Sequence, residues 1–182
     1  MLELRSFDGV YPRVAGNAWI DPTALIIGDV EIGAEVSVWP FSVVRGDIHR
    51  IRVGARTNIQ DGSVLHVTHA SRFNPDGYPL TIDTDVTVGH KVILHGCEIG
   101  HHCLIGMGAV VMDGAVIEPW TMLAAGSLVP GGKRLAGGYL WQGSPARRVR
   151  ELSAQEREYL EYAAENYVKL AVRYRVSDWG RD

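Results

Sequence analysis

The chain has 182 residues and a formal net charge of −3, a length that suits one domain with a substantial core and a charge that gives no support for nucleic-acid binding. No apolar run is long enough to cross a membrane, and the N-terminal Met-Leu-Glu-Leu-Arg-Ser-Phe-Asp is too mixed for a secretory leader. The two cysteines, Cys97 and Cys103, are too few for a disulfide framework, so the expectation is a cytoplasmic protein with no membrane partner.

Residues 1–19 carry aromatics and Pro12 without a clear period. They read as a lead-in segment that covers the open end of the adjoining repeat. From Ile20 an aliphatic residue recurs at a spacing of six: Ile20, Ile26, Ile32, Val38 and Val44. The next step, to Val53, is nine, so Arg45-Gly46-Asp47-Ile48-His49-Arg50 carries extra residues. Val53, Ile59 and Leu65 resume the period. Residues 67–79 break it with a polar segment in which Asn74-Pro75-Asp76-Gly77 is a turn signal. The period returns at Ile82, Val88, Leu94, Ile99, Ile105, Val111, Ile117, Leu123 and Val129, with one short step between Leu94 and Ile99.

No α-helix has a period of six, and a hexapeptide repeat is the signature of an all-β solenoid. Each hexad is a short strand plus a corner, and three hexads close a triangular coil of about eighteen residues. The opening aliphatics point inward and successive coils stack at about 4.8 Å. The solenoid domain is expected over residues 20–150, with the repeat closing after Val129 and residues 130–132 and 140–145 as exit turns. Cys97 and Cys103 fall inside coils and read as small core hydrophobes rather than a redox pair. Ser153 and Glu156 form a capping-box signature. Leu160, Ala163, Tyr167, Leu170 and Tyr174 form an apolar stripe at helical spacing. These features predict a helix over 151–176, packing on the solenoid's flank or on a neighbouring chain. The tail from Ser177 is expected to fray.

Assigning the openers in turn to three faces sets the register. Face a takes Ile32, Val53, Ile82 and Ile99. Face b takes Val38, Ile59, Val88 and Ile105. Face c takes Val44, Leu65, Leu94 and Val111. The residue after each opener points outward, which on face c gives Arg45, His66, His95 and Met112. With the excursion removed, His66 and His95 are one coil apart and should stack. Two imidazoles so placed can reach one zinc at about 2.0–2.1 Å each. His90 lies on face b, roughly 16 Å of extended chain before His95, and cannot readily reach the same ion from the same chain. A neighbour in a three-chain assembly could supply it. A lone outward histidine is commonly a plain surface residue, and on the register alone both readings stand.

The blocks Arg45-Gly46-Asp47, Thr57-Asn58-Ile59-Gln60-Asp61-Gly62-Ser63-Val64-Leu65-His66 and Thr87-Val88-Gly89-His90-Lys91-Val92-Ile93-Leu94-His95-Gly96-Cys97 resemble the signature blocks of the γ-class carbonic anhydrases. The likeness extends to bacterial γ-carbonic-anhydrase-like hexapeptide proteins and covers nearly the whole chain. It implies a left-handed parallel β-helix, a homotrimer, and one zinc at each subunit interface, with Fe(II) or Co(II) as alternatives. It implies His66, His90 and His95 as metal ligands and Arg45 with Asp47 as interface ion-pair residues. Asn58, Gln60 and Asp61 would line the pocket, with Gln60 beside the metal-bound water. Tyr162, Asn166 and Tyr167 of the final helix would contact bicarbonate. One departure concerns the loop after His66. Members with efficient turnover carry a proton-relaying glutamate there, whereas this loop reads Val-Thr-His-Ala-Ser-Arg-Phe. His69 could take the relay role, since its ordinary pKa is near neutrality.

The activity implied is reversible hydration of carbon dioxide to bicarbonate. Three other readings share the fold: a metal-stabilised trimeric scaffold with little activity, a zinc-dependent esterase or thioesterase, and a hexapeptide acyltransferase with a coenzyme A groove. Fold alone does not choose among them.

Overall fold

The computed structural model describes residues 3–177. Its body is a left-handed parallel β-helix, and its one long helix, Ala154–Val176, lies along the flank. The register follows the hexads. Ile32 pairs with Val53, Val53 with Ile82 and Ile82 with Ile99 on face a. Val38, Ile59, Val88 and Ile105 form the face b ladder. Val44, Leu65, Leu94 and Val111 form the face c ladder. All of these side chains are buried in one continuous aliphatic column. The position four after most openers is a second inward column at the corners. Its polar members are satisfied locally: the Thr57 hydroxyl donates to the Asp83 carbonyl at 2.8 Å and the Ser63 hydroxyl to the Gly89 carbonyl at 3.0 Å, as burial of a hydroxyl demands. Cys97 and Cys103 are free thiols sealed in the core. Burial raises both, Cys103 to about 12, so they are inert packing atoms.

The solenoid is longer than the repeat suggests at both ends. Leu4 pairs with Ile26 on face c and Val14 with Ile32 on face a, so the lead-in contributes rungs of its own. Beyond Val129 the step of six continues through Leu135 and Trp141, which pair with Ile117 and Leu123. The expected exit turn at 140–145 is instead a strand, Tyr139–Gly143, which completes face b and then folds back antiparallel on Ala146–Glu151. The period survives here, but Pro130, Gly131, Gly132 and Gly137 conceal it, because glycine-rich corners read as chain breaks.

The helix begins at the predicted capping box: Ser153 accepts from the Glu156 amide, and the Glu156 carboxylate accepts from the Ser153 amide. It packs against face b. Leu160, Ala163, Ala164 and Ala171 are buried, with small residues allowing close approach. Tyr167 and Tyr174 wedge against Trp39, with ring centroids 5.4 and 5.0 Å away, and Trp39 lies 4.7 Å from Trp19. Leu170 of the predicted stripe is only partly covered. Ser177 caps the helix C-terminus through its amide. The remainder of the tail expected to fray, residues 178–182, lies outside the described residues. No helix is long and apolar enough to cross a membrane among the described residues.

Candidate metal centre

His66 and His95 are register partners on adjacent strands, Val64–His66 and Ile93–His95. His66 Nδ1 and His95 Nε2 face each other at 3.1 Å. The other nitrogen of each ring is engaged by a carboxylate. His66 Nε2–H donates to Asp47 at 3.0 Å, and His95 Nδ1–H donates to Asp113 at 2.6 Å. A carboxylate can only accept, so it fixes the proton on that side of the ring. The two facing nitrogens are then both lone pairs. Neutral imidazoles cannot hydrogen-bond lone pair to lone pair, but two lone pairs so placed can both donate to one cation. Two nitrogens bound tetrahedrally to zinc at 2.0–2.1 Å lie about 3.3–3.4 Å apart, close to the separation observed. Burial, helped by the positive Arg45, holds His66 below its ordinary pKa, which keeps this ring neutral and able to ligate.

The backbone builds this arrangement. The strand Val43–Val53 bulges against its neighbour between Gly28 and Val30, and the bulge swings Asp47 back over His66. Gly46 makes it possible: a Cβ there would sit 2.7 Å from the Asp29 carbonyl oxygen. Asp47 also takes an ion pair from Arg45. Burial acts to raise the Asp47 carboxyl, but bonds from His66 and Arg45 outweigh it and hold the group below its ordinary value. Within the chain Arg45 and Asp47 pair with each other, and Asp47 orients the His66 ring. Gly96, with φ of 50°, lets Asp113 and Tyr78 crowd against the turn after His95. Asp113 also accepts from the Thr68 hydroxyl at 2.7 Å.

His90 stands apart from that pair, on face b, and its Nδ1–H donates to Asp61 at 2.9 Å. It lines a groove of about 470 Å3 between the solenoid and the helix, together with Gln60, Tyr162, Asn166 and Tyr167. Gly89, Gly106 and Ala124 line it where larger side chains would fill the space. Gln60 is held in place from behind: its amide nitrogen donates to Asn58 at 3.1 Å, and Asn58 donates to the Thr87 hydroxyl at 3.0 Å. Asn58 is fully buried and is absent from the groove wall; it positions Gln60. Burial and the nearby Asp61 charge raise the Tyr167 hydroxyl, keeping it a neutral donor. Tyr162 is exposed at the rim.

One chain thus gathers the expected residues into two half-sites, Arg45, Asp47, His66 and His95 on face c and Gln60, Asp61, His90 and the helix residues on face b. Among the described residues, no three His, Cys, Asp or Glu side chains come together as a metal-holding group within a chain. His69 is exposed in the excursion and has no hydrogen bond to His66, His95 or Asp113 among the described residues. Asp113 and Thr68 escaped the sequence reading. Asp113 was open to detection, because 113 − 95 = 18, one coil on from His95. Thr68 carried no signal, being one more polar residue of an irregular loop.

A family model described as bacterial transferase hexapeptide (six repeats) matches residues 11–46 and 96–131. Protein YrdA of Escherichia coli (strain K12) is 53% identical over 171 residues, covering 94% of this chain and 93% of that protein. Gamma carbonic anhydrase 1, mitochondrial, of Arabidopsis thaliana is 42% identical over 160 residues, 88% of this chain, which spans 58% of that protein's length. The crystal structure of a hexapeptide transferase family protein from Anaplasma phagocytophilum has a TM-score of 0.87 and 43% identity, covering 94% of this chain and 98% of that one. With matches of that extent on a coiled body built from the same hexads, the chain belongs to the γ-carbonic-anhydrase-like family of hexapeptide-repeat proteins.

Proposed function

We propose that the protein is a homotrimeric zinc enzyme that hydrates carbon dioxide reversibly to bicarbonate. His66 and His95 of one subunit and His90 of the partner subunit would hold the ion. The observation that carries this reading is the set of three histidines, each donating one ring nitrogen to a carboxylate: Asp47, Asp113 and Asp61. Carboxylate–histidine pairing is the common support of metal ligands, because it fixes the tautomer and raises ligand basicity. A second feature supports assembly. From Leu25 to Leu128 the outward column beside His66 and His95 on face c is aliphatic: Leu25, Val43, Val64, Ile93, Val110 and Leu128 in register. Val64 and Ile93 remain 40% and 42% exposed in the single chain, and a contiguous apolar strip of this kind marks a protein interface.

Three imidazoles leave a coordination position open, and zinc bound there supplies an acidified water, of pKa about 7, as nucleophile at neutral pH. Gln60, anchored through Asn58, has its carbonyl oxygen free to accept a hydrogen from the nucleophile and orient it. Tyr167 and Asn166 line the same groove and offer donors to a product carboxylate. The hydrated product is bicarbonate and one proton, and that proton must leave. No glutamate stands in the loop after His66, so His69 or soluble buffer carries it away.

The test is stopped-flow carbon dioxide hydration on zinc-loaded and anaerobically iron-loaded protein across imidazole concentrations, with metal content and mass by sedimentation. The expected result is a trimer with about one metal per chain whose turnover rises with imidazole. His69→Ala lowers turnover only when buffer is scarce, and His95→Ala abolishes metal and turnover together. A metal-replete monomer, or a trimer without metal-dependent hydration under any of these conditions, defeats the reading. The second outcome leaves a scaffold, an ester or thioester hydrolase, or an acyltransferase.

A further inference from the structure

The excursion that breaks the repeat is a narrow antiparallel hairpin, and it meets the solenoid beside the histidine pair. Thr68 and Tyr78 close it: the Thr68 amide donates to the Tyr78 carbonyl at 3.1 Å, and the Tyr78 amide to the Thr68 carbonyl at 2.8 Å. Residues directly opposite in an antiparallel pair put their side chains on the same face of the ribbon. Here both reach the coils that carry His95 and Asp113. The Thr68 hydroxyl donates to Asp113 at 2.7 Å. Tyr78 starts against Gly96, the residue after His95, and its ring runs on to Gly114, the residue after Asp113.

The two glycines admit it. A Cβ on Gly96 would sit 2.6 Å from the Tyr78 Cβ, and one on Gly114 would sit 2.9 Å from the ring. Gly96 and Gly114 are consecutive rungs, since the Gly114 amide donates to the Gly96 carbonyl at 2.7 Å, and the tyrosine spans both. The arm that carries it is also held two residues earlier, where His49 Nε2–H donates to the Asp76 carbonyl at 3.1 Å. His49 belongs to the same strand as Asp47, the support of His66. None of the Tyr78 contacts uses its hydroxyl.

Asp113 needs such a grip. Its side chain is 33% exposed, so without the Thr68 bond the carboxylate is free to turn into water and away from His95 Nδ1. Val67 anchors the chain in the core just before Thr68. Beyond that, the pair with Tyr78 supplies the backbone bonds that place Thr68. We infer that Tyr78 is a positioning residue of the metal centre, acting through Thr68 and Asp113 on the His95 ring. This rests on the zinc reading and extends it to a residue that touches neither metal nor substrate. Each interruption of the hexads then serves one histidine: the bulge delivers Asp47 to His66, and the hairpin holds Asp113 on His95.

Competition for zinc with a chromophoric chelator tests the effect on affinity. Tyr78→Ala should weaken binding about tenfold, the lower end of what loss of an outer partner costs, and Tyr78→Phe, which keeps the ring, should bind as wild type does. In an Asp113→Asn background Tyr78→Ala should add nothing, because residues acting along one line are not additive. A second readout needs no metal. Long-range proton–nitrogen spectra of histidine-labelled, metal-free protein should show His95 as the Nδ1–H tautomer in wild type and Tyr78→Phe, and a tautomer mixture in Tyr78→Ala. Tyr78→Leu replaces the alanine variant should that one not fold. Unchanged affinity and tautomer in Tyr78→Ala overturn the inference. So does a loss fully additive with Asp113→Asn, which would mean a general loosening of the coil. Wild-type protein that binds no zinc defeats the zinc reading, while the tautomer spectra still decide whether Tyr78 acts on His95.

Discussion

Asp113→Asn isolates the support that His95 receives. The substitution keeps the shape and leaves an oxygen for one bond, but removes the charge that faces His95 Nδ1 at 2.6 Å and the Thr68 hydroxyl at 2.7 Å. Charge-assisted hydrogen bonds are about twice as strong as neutral ones, so the ring keeps a partner and loses much of the polarisation that makes its far nitrogen a good donor. Removal of such an outer partner commonly costs about 10–100-fold in metal affinity, which is about 1.4–2.8 kcal/mol. The loss should stop there, because Asp47 and Asp61 still hold the other two rings. The assay is competition for zinc with a chromophoric chelator at fixed pH, alongside circular dichroism and sedimentation of the same samples. Thr68→Val should show a smaller effect in the same direction. An affinity unchanged in Asp113→Asn would refute the argument that this carboxylate tunes a ligand. So would a loss as complete as that of His95→Ala, which would make Asp113 a structural residue of the coil.

The acid sensitivity of the metal-free protein has a defined sign. Burial depresses the His66 pKa below 6.5, so the unfolded chain takes up its proton first and stability falls as pH drops below that value; Asp47, depressed below 3.8, adds a second loss at lower pH. Urea midpoints of metal-free protein should fall between about pH 8 and about pH 5, and His66→Asn should flatten that slope; a flat wild-type profile would contradict it. In the core, Val88 is fully buried on face b, and Val88→Asp would bury an unpaired carboxylate at a cost of more than about 4 kcal/mol, so no soluble folded protein should be recovered; a folded variant would mean the register is wrong. Ser153→Ala removes half of the capping box and should cost about 0.5–2 kcal/mol, read as a fall in Tm of about 2–4 °C per kcal/mol with the solenoid intact.

The coil was legible in the sequence because its determinant is local and repeated. Each inward position demands an aliphatic residue every six, so Val38, Ile59, Val88 and Ile105 identify their ladder before any coordinate is known. The stacking of His66 on His95 comes from the same arithmetic, as does the separation of His90 onto another face. Ser153 and Glu156 announce the helix start by a spacing of three. The sequence was less informative wherever glycine or an insertion interrupts the beat. Leu135 and Trp141 continue the solenoid through a glycine-rich stretch that looks like an ending.

Only the tertiary structure decided where the carboxylates go. Asp47 reaches His66 because the strand bulges just after Gly46; the step of nine marks the extra residues but not the way they turn. Asp113 reaches His95 across one coil, with Thr68 of the irregular hairpin as its second partner. Asn58 and Gln60 share the outward side of face b, and it is packing that buries Asn58 behind Gln60, where it donates to the Thr87 hydroxyl. The physical reason is common to all three. Burial of an apolar column is fixed residue by residue along the chain, whereas the orientation of an imidazole depends on a hydrogen bond from a distant residue, and that bond exists only once the coils have stacked.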